Sequence, residues 1–278
     1  MRVLILGNRG QIGSFLESFL ISRGVEVLGI DLNNHSTQDL RFVHPEILDE
    51  QMSKSDFVFF LAYDVGGSTY LNQYQSNFDF IQNNSLIMTN CFGSLQRTGK
   101  PFIFASSQMS NMTFSNYGLL KALGERYTLA LQGISVKFWN VYGYETDKNK
   151  FHVISDFIRM GIEDGVIKMR TTGEETRDFL FVSDCCEGLF KIMTRFNEID
   201  KSHTYDLASG KWTSIKEIAQ IISEKLKVPI EVGDKQDEIQ NLVKNNPNVE
   251  RLKFWLPMTS IEEGIELVIR NYHFESSS

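Results

Sequence analysis

The sequence predicts an α/β fold, a doubly wound parallel sheet with helices on both faces, followed by a smaller C-terminal α/β lobe. Three observations predict it. Short apolar runs recur at residues 3–6, 25–30, 56–62, 100–105 and 134–139, the pattern of strands buried on both faces. Longer stretches separate them, with apolar residues at helical spacing. A glycine-rich turn joins the first run to the first of these stretches, and the second run ends on Asp31. Strands alternating with helices in this way make parallel pairing the natural arrangement.

Residues 3–6 (VLIL) form the first strand. The chain then breaks into Gly7-Asn8-Arg9-Gly10-Gln11-Ile12-Gly13, and Ile12, Phe15, Leu16, Phe19 and Leu20 share one face of the helix that follows. Strand, glycine turn, helix, strand and acid is the order of a dinucleotide-binding βαβ unit. Gly7 turns the chain off the strand, Gly10 lets backbone N–H groups approach a pyrophosphate, and Gly13 lets the helix lie close to the sheet. The helix N-terminus, with Gln11 and Ile12 in its first turn, offers unpaired donors and a positive dipole end. Asp31 accepts hydrogen bonds from the adenosine ribose hydroxyls and repels a 2′-phosphate, which favours NAD over NADP.

Further along, residues 33–39 read as loop, 41–43 as a short third strand and 49–54 as a brief helix. The strand at 56–62 runs into Leu61-Ala62-Tyr63-Asp64-Val65-Gly66-Gly67, where an open α/β sheet places its ligands. The paired glycines there serve either a close ligand approach or a plain loop. Residues 78–95 are a long helix, in which an inward Asn84 would brace nearby backbone. The strand at 100–105 opens into Ser106-Ser107, residues 117–131 form a helix, and residues 134–139 form a strand ending at Asn140. Beyond it come a loop at 146–150, a helix at 152–161, strands at 166–169 and 174–183, and helices at 184–196, 214–226 and 261–269. Ser214 or Thr213 caps the second of these helices. The serine tail at 276–278 reads as disordered. Residues 1–165 are thus expected to form the dinucleotide-binding domain. Residues 166–278 form a smaller, partly discontinuous substrate-binding lobe, with the substrate in the cleft between them.

The chain has 278 residues, is 42% hydrophobic and 23% charged, and carries a net charge of −7. With no Lys/Arg-rich block, it is expected to bind neither nucleic acid nor an anionic membrane. No apolar run approaches membrane-spanning length, and no leader is expected ahead of the first strand. Cys91, Cys185 and Cys186 lack metal-ligand spacing and read as reduced, packed thiols, so no metal is expected and the expected compartment is the cytoplasm.

Tyr117 and Lys121 lie four apart on a helix and so face the same way. A nearby ammonium stabilises a phenolate and lowers its pKa, which would let Tyr117 take and return a hydroxyl proton. Ser107, at the end of the preceding strand, would donate a hydrogen bond to the reacting oxygen.

The glycine spacing GxxGxxG and the Ser107, Tyr117, Lys121 set resemble the short-chain dehydrogenase/reductase superfamily, and later motifs resemble its extended branch of nucleotide-sugar epimerases and dehydratases. Trp139-Asn140-Val141-Tyr142-Gly143, Thr176-Arg177-Asp178-Phe179-Leu180-Phe181-Val182-Ser183-Asp184, the strand at 205–210 and the helix around Gly264 extend the likeness over most of the chain. The resemblance implies a Rossmann-like fold and bound NAD, with Lys121 on the nicotinamide ribose and Leu61, Ala62 and Asn84 near the cofactor. It implies a nucleotide-diphosphate sugar held by Asn140, by Arg177 at the diphosphate, and by Ser107 with Ser106 as its substitute. It also implies a homodimer paired through the helices at 78–95 and 117–131.

Several positions depart from the family's pattern. Only ten positions separate Ser107 from Tyr117, fewer than is usual in the extended branch. Gln108 and Met109 replace the Asp-Glu pair of 4,6-dehydratases, which argues against dehydration. Segments 61–67 and 152–154 resemble GDP-fucose synthase and GDP-mannose 3,5-epimerase, yet Met109 stands where those enzymes place a cysteine. His152 is then an acid, a hydroxyl contact or simply a packed residue. The family's late arginine has no counterpart around residues 234–238, so base contacts are not assigned. The expected activity is nucleotide-sugar epimerisation with bound NAD through a transient keto-sugar, C4 favoured. A 4-dehydrogenase or 4-keto reductase is the nearest alternative, and a non-catalytic NAD-binding regulator the next.

Overall fold

Alternate residues of a strand buried on both faces must each find an apolar partner, and this chain provides helices for both sets. The computed structural model describes residues 1–112, 114–236 and 246–275. In chain order the larger body contains β1 (Arg2–Leu6), α1 (Gln11–Ser22), β2 (Glu26–Ile30), α2 (Pro45–Ser53), β3 (Phe57–Phe60), α3 (Ser68–Tyr74), α4 (Phe78–Thr98), β4 (Phe102–Ser107), α5 (Asn116–Ala130) and β5 (Ile134–Phe138). The chain leaves through β6 (Val141–Tyr142), α6 (Val153–Arg159), β7 (Ile167–Lys168), β8 (Thr176–Asp178) and β9 (Leu180–Phe181). It returns through α7 (Val182–Thr194) and β10 (Thr204–Leu207), then ends in β11 (Trp212–Ser214), α8 (Ile215–Leu226), β12 (Ile230–Glu231) and α9 (Ile261–Glu275).

The main sheet has six strands in the order β10-β5-β4-β3-β1-β2, all parallel. This is the doubly wound, Rossmann-like fold, with its switch point at β1. Val3, Ile5, Phe57, Phe59 and Ile103 face α1 and α7. Leu4, Leu6, Val58, Phe60, Phe102 and Phe104 face α2, α4 and α5. The smaller lobe closes its own core around Ile154, Phe157, Ile158, Ile218, Ile222, Ile265 and Val268. Cys91, Cys185 and Cys186 are buried and unbridged, Cys91 on one face of the sheet and the other two on the opposite face. Among the described residues no helix is long and apolar enough to cross a membrane.

The structure departs from the expected elements at identifiable places. Residues 41–43 form no strand, so β2 is the sheet's margin. Asn90 of α4 donates to the carbonyls of Leu40 and Arg41 at 2.8 and 3.1 Å, and Arg41 folds back onto Asp39 and Asn83. Those groups are thereby diverted from a sheet ladder. Helix α2 begins at Pro45, a residue suited to the first helical position because it lacks the N–H that would go unpaired there. Helix α3 is polar and carries no apolar periodicity that would have announced it. The segment expected as one strand at 174–183 is split. Strand β8 pairs antiparallel with β11, β9 pairs parallel with β6, and Ser183 lies in α7. Residues 182–207, expected in the smaller lobe, supply a helix and a strand to the larger body. Ser214, not Thr213, caps α8 by accepting from the Glu217 N–H. The tail at 276–278 lies outside the described residues.

Asp178 joins the two bodies. Wholly buried, its carboxylate accepts from the Ser209 N–H and hydroxyl and from the Gly210 N–H, each at 2.7 Å. Its carbonyl accepts from Asn140 at 3.2 Å. Asp178→Ala removes the acceptor for all three donors in the turn between β10 and β11. It should lower unfolding stability by about 2 kcal/mol, read as a lower urea midpoint.

Candidate functional site

The glycine turn is fixed by close backbone approach. Gly7 has φ +90°, a left-handed conformation, and a Cβ there would lie 2.7 Å from the Ala62 Cα. A Cβ on Gly13 would lie 2.0 Å from the Gly7 carbonyl oxygen. Around Gly10 the space is open, the nearest atom to a Cβ being that same carbonyl oxygen at 3.5 Å. No side chain caps α1, so the N–H groups of Gln11, Ile12 and Gly13 are the unpaired donors of its first turn. Asp31 stands at the end of β2, its carboxylate held by the N–H groups of Arg9 and Asn33 at 3.0 and 2.9 Å. Open donors at a helix N-terminus, a turn with no side chain in the way and a fixed acid one strand over fit a dinucleotide. The Gln11 side chain reaches the Val141 carbonyl at 3.5 Å, tying this turn to the start of the smaller lobe. Leu61 donates its N–H to the Leu6 carbonyl at 2.9 Å, which places Leu61 and Ala62 beside the turn.

Ser107, Tyr117 and Lys121 converge at the end of β4. Ser107 hydrogen-bonds Tyr117 and also accepts from the Met109 N–H at 3.2 Å. Lys121 is buried, donates to the Ala105 carbonyl at 2.6 Å, and holds its ammonium 3.6 Å from the centroid of the Tyr63 ring. In the short link from Ser107 to Tyr117, the Met109 and Met112 carbonyls lie directly on α5. A Cβ on Gly118 would come 2.1 Å from the Met109 carbonyl oxygen, so only glycine permits this seat.

The electrostatics differ from the expectation. Burial pushes the Tyr117 phenol up to about 12, against the pull of its hydrogen bond to Ser107. Burial lowers the Lys121 ammonium to about 7, against the opposing charge of Glu125. The phenol is not lowered because the Lys121 ammonium points at Ala105 and Tyr63 and stands 5.7 Å from the Tyr117 ring centroid.

The loop after β3 is braced from beneath. Asn84 is wholly buried, accepts from the Asp64 N–H at 2.8 Å, and donates to the carbonyls of Asp64 and Phe80 at 3.1 and 3.0 Å. Its amide thus holds backbone rather than pointing to a ligand. The Asp64 carboxylate accepts from Tyr70 at 2.6 Å, Asn83 at 3.2 Å and Lys150 at 3.4 Å. The Gly67 N–H donates to the Lys150 carbonyl at 3.0 Å, which brings the 150–152 segment against this loop. His152 is fixed there by Glu145, whose carboxylate meets Nδ1 at 2.7 Å and the backbone N–H at 3.0 Å. The side chain of Glu145 is only 7% exposed and that of His152 39%. A carboxylate on Nδ1 sets the tautomer and leaves Nε2 as the working nitrogen.

The remaining expected residues lie apart from the triad. Ser106 donates to Glu125 at 2.5 Å, in a group that includes the buried Lys137 and the exposed Asn111, so Ser107 is the serine at Tyr117. Asn140 is tied to the Asp178 carbonyl, and Arg177 on β8 is half-buried and donates to the Thr176 carbonyl at 2.8 Å. Of segment 234–238, residues 237 and 238 lie outside the described residues. Sequence reasoning missed Tyr63, Glu145 and Gly118. Glu145 and His152 meet across a loop that has no period to read. Gly118 was visible only as part of a Tyr-Lys spacing.

The sequence matches the model of the NAD dependent epimerase/dehydratase family over residues 3–208. The chain belongs to that family. It is 23% identical to UDP-glucuronic acid decarboxylase 1 of Arabidopsis thaliana, over 98% of this chain and 70% of that protein. It is 27% identical to UDP-N-acetyl-alpha-D-glucosaminuronate decarboxylase of Bacillus cytotoxicus, over 97% of each. A further relative, GDP-mannose 3,5-epimerase 1 of Oryza sativa, is 24% identical over 95% of this chain and 80% of that protein. Among solved structures, the UDP-glucose 4-epimerase of Thermotoga maritima superposes with a TM-score of 0.83 at 18% identity, covering 99% of this chain and 100% of that one. Membership in the family makes this an NAD-dependent enzyme.

The Glu145–His152 pair has a defined pH signature. Burial disfavours the imidazolium, but the Glu145 carboxylate outweighs it and raises the His152 pKa above 6.5. Burial likewise works against the Glu145 carboxylate, and the charge of His152 outweighs it and lowers that pKa below 4.5. The His152 contribution is full below about pH 6.5 and is lost as pH rises through the raised pKa. The Glu145 contribution is present above about pH 4.5 and is lost as pH falls through the lowered one. NMR titration of the histidine rings should place His152 above 6.5 in the wild type. In Glu145→Gln it should fall towards that value, since the carboxylate charge that raises it is gone.

Proposed function

We propose that this enzyme epimerises a nucleotide sugar through a transient 4-keto intermediate, keeping NAD bound throughout. The observation that carries this reading is the convergence of Ser107, Tyr117 and Lys121 at the same end of the sheet as the glycine turn. Such a set suits reversible conversion of a hydroxyl to a ketone. Tyr117 takes the hydroxyl proton and later returns it. Ser107 donates to the same oxygen as charge develops there, and Lys121 bears the compensating positive charge. When bound, NAD supplies reversible acceptance of a hydride from the carbon carrying that hydroxyl. Gly7, Gly10, Gln11, Ile12 and Gly13 would hold its pyrophosphate and Asp31 its adenosine ribose. Leu61 and Ala62 would border it, with Asn84 acting through the loop it braces.

Chemistry favours C4. Decarboxylation of a glycuronic acid requires a ketone β to the carboxylate, which is C4. Exchange at C3 and C5 requires a ketone between them, again C4. The reactions named for the three relatives, two decarboxylases and a 3,5-epimerase, therefore share one oxidation. Asn140 and Arg177 would face the nucleotide diphosphate, and His152 a sugar hydroxyl. A bound, recycled cofactor distinguishes this reading from a 4-dehydrogenase or 4-keto reductase.

The enzyme would act as a homodimer. Leu119, Leu123 and Tyr127 form a stripe along α5 that is 52, 46 and 43% exposed, and Phe78 opens α4 at 72% exposure. A stripe of this kind on a soluble chain suits pairing with a second copy.

Denaturing the purified protein should release stoichiometric NAD or NADH, identified by mass spectrometry. The enzyme should then interconvert one pair of C4 epimers among UDP-, GDP-, CDP- and dTDP-sugars, without net cofactor consumption. Carbon dioxide release from UDP-glucuronic acid would instead identify a decarboxylase, and net NADH formation a dehydrogenase. Tyr117→Phe should lower kcat by about 10²–10⁴-fold with the fold intact. Leu123→Glu should convert a dimer to a monomer in light scattering, and a wild type that is monomeric at micromolar concentration would overturn the dimer.

A further inference from the structure

Tyr63 lies in segment 61–67 after β3, and its ring touches both reactive members of the triad. Its face lies 3.6 Å from the Lys121 ammonium, and its ring meets that of Tyr117 edge-on at 5.8 Å between centroids. A cation this close to an aromatic face is attracted by the ring quadrupole, and burial strengthens the attraction. We propose that Tyr63 is a positioning residue for Lys121, holding the ammonium between its ring face and the Ala105 carbonyl and so fixing its distance from Tyr117. The proposal rests on the role assigned to Tyr117 and Lys121 under Proposed function.

The surroundings explain why a ring is needed. The groups facing Lys121 are Tyr63 from the loop after β3, the Ala105 carbonyl and Phe104 from β4, and Tyr117 and Glu125 from α5. Glu125 is the one carboxylate among them, and it is also engaged by Ser106 and Lys137. With a single carbonyl as its direct acceptor among the described residues, the buried ammonium gains a further partner from the Tyr63 face without an added charge. The ring is itself held in place. Its hydroxyl reaches the Met88 sulfur at 3.8 Å, and the next residue, Asp64, has its backbone clamped on both sides by Asn84. Asn84, Asp64, Tyr63 and Lys121 thus form a chain from the interior of α4 to the site.

The test is an NMR titration of the holoenzyme as purified, carrying lysine labelled with ¹³C at Cε, with the Lys121 signal assigned by its loss in Lys121→Met. The wild-type midpoint is expected near 7. Tyr63→Phe keeps the ring face, drops the hydroxyl and should leave the midpoint in place. Tyr63→Leu keeps the site apolar without a ring face and should lower the midpoint by about one pH unit. Should Tyr63→Leu fail to fold, Tyr63→Met takes its place with the same expected shift. An unchanged or raised midpoint in the aliphatic variant would show that the ring only fills space and would overturn the proposal. Turnover of Tyr117→Phe and Lys121→Met on the identified sugar is measured in parallel. Full activity in both would sink the assigned chemistry even where the Tyr63 shift is seen. Inactivity in both with no Tyr63 shift would leave that chemistry standing and remove Tyr63 from it.

Discussion

The structure depends on one close approach, the seating of α1 on the turn that leaves β1. Where Gly13 passes, the Gly7 carbonyl oxygen fills the space of a side chain, and on its other side Gly7 is pressed against Ala62. Three elements, β1, α1 and the end of β3, therefore meet at backbone distance. That meeting fixes the direction of α1 and so the aim of its unpaired N–H groups. It also brings the loop after β3, with Tyr63 and Asp64, to the same end of the sheet as β4 and its serine pair. The glycine turn and the Ser107, Tyr117 and Lys121 set are two sides of one packing solution.

Around this centre, polar side chains do the work of holding loops. Asn84, Asp178 and Glu145 are each buried, and each takes part in two or more hydrogen bonds with backbone or with a single partner. A buried polar group is tolerated only when so satisfied, and once satisfied it specifies a single arrangement. In this chain such groups stand where irregular backbone must be placed accurately. They lie beneath the loop after β3, at the crossing between the two bodies, and before α6.

Much of this was legible in the sequence because it follows from local pattern. The apolar runs gave the strands, the glycine spacing gave the βαβ unit, and the four-residue step from Tyr117 to Lys121 placed both on one face. What was not legible depends on partners far away in the chain. Residues 41–43 have strand character, but Asn90, some fifty residues later, takes the carbonyls of Leu40 and Arg41. The run at 174–183 reads as one strand because both halves are extended, yet they pair with different partners in opposite senses. The expectation of a lowered Tyr117 pKa failed for a related reason. Spacing puts a lysine near a tyrosine, but burial and the pull of Ala105 and Tyr63 decide where the charge sits.

Among the described residues no strand lies beyond β2, and this has a consequence for the molecule among its own copies. A marginal strand presents a row of backbone donors and acceptors on which another chain can template itself. Here that margin is five residues long, begins with the exposed Glu26 paired to Arg2, and carries Gly29 in its second half. A short, charged and glycine-weakened border is a poor template for cross-chain strand growth. The chain thus shortens its sheet while leaving little invitation to aggregate along the new edge.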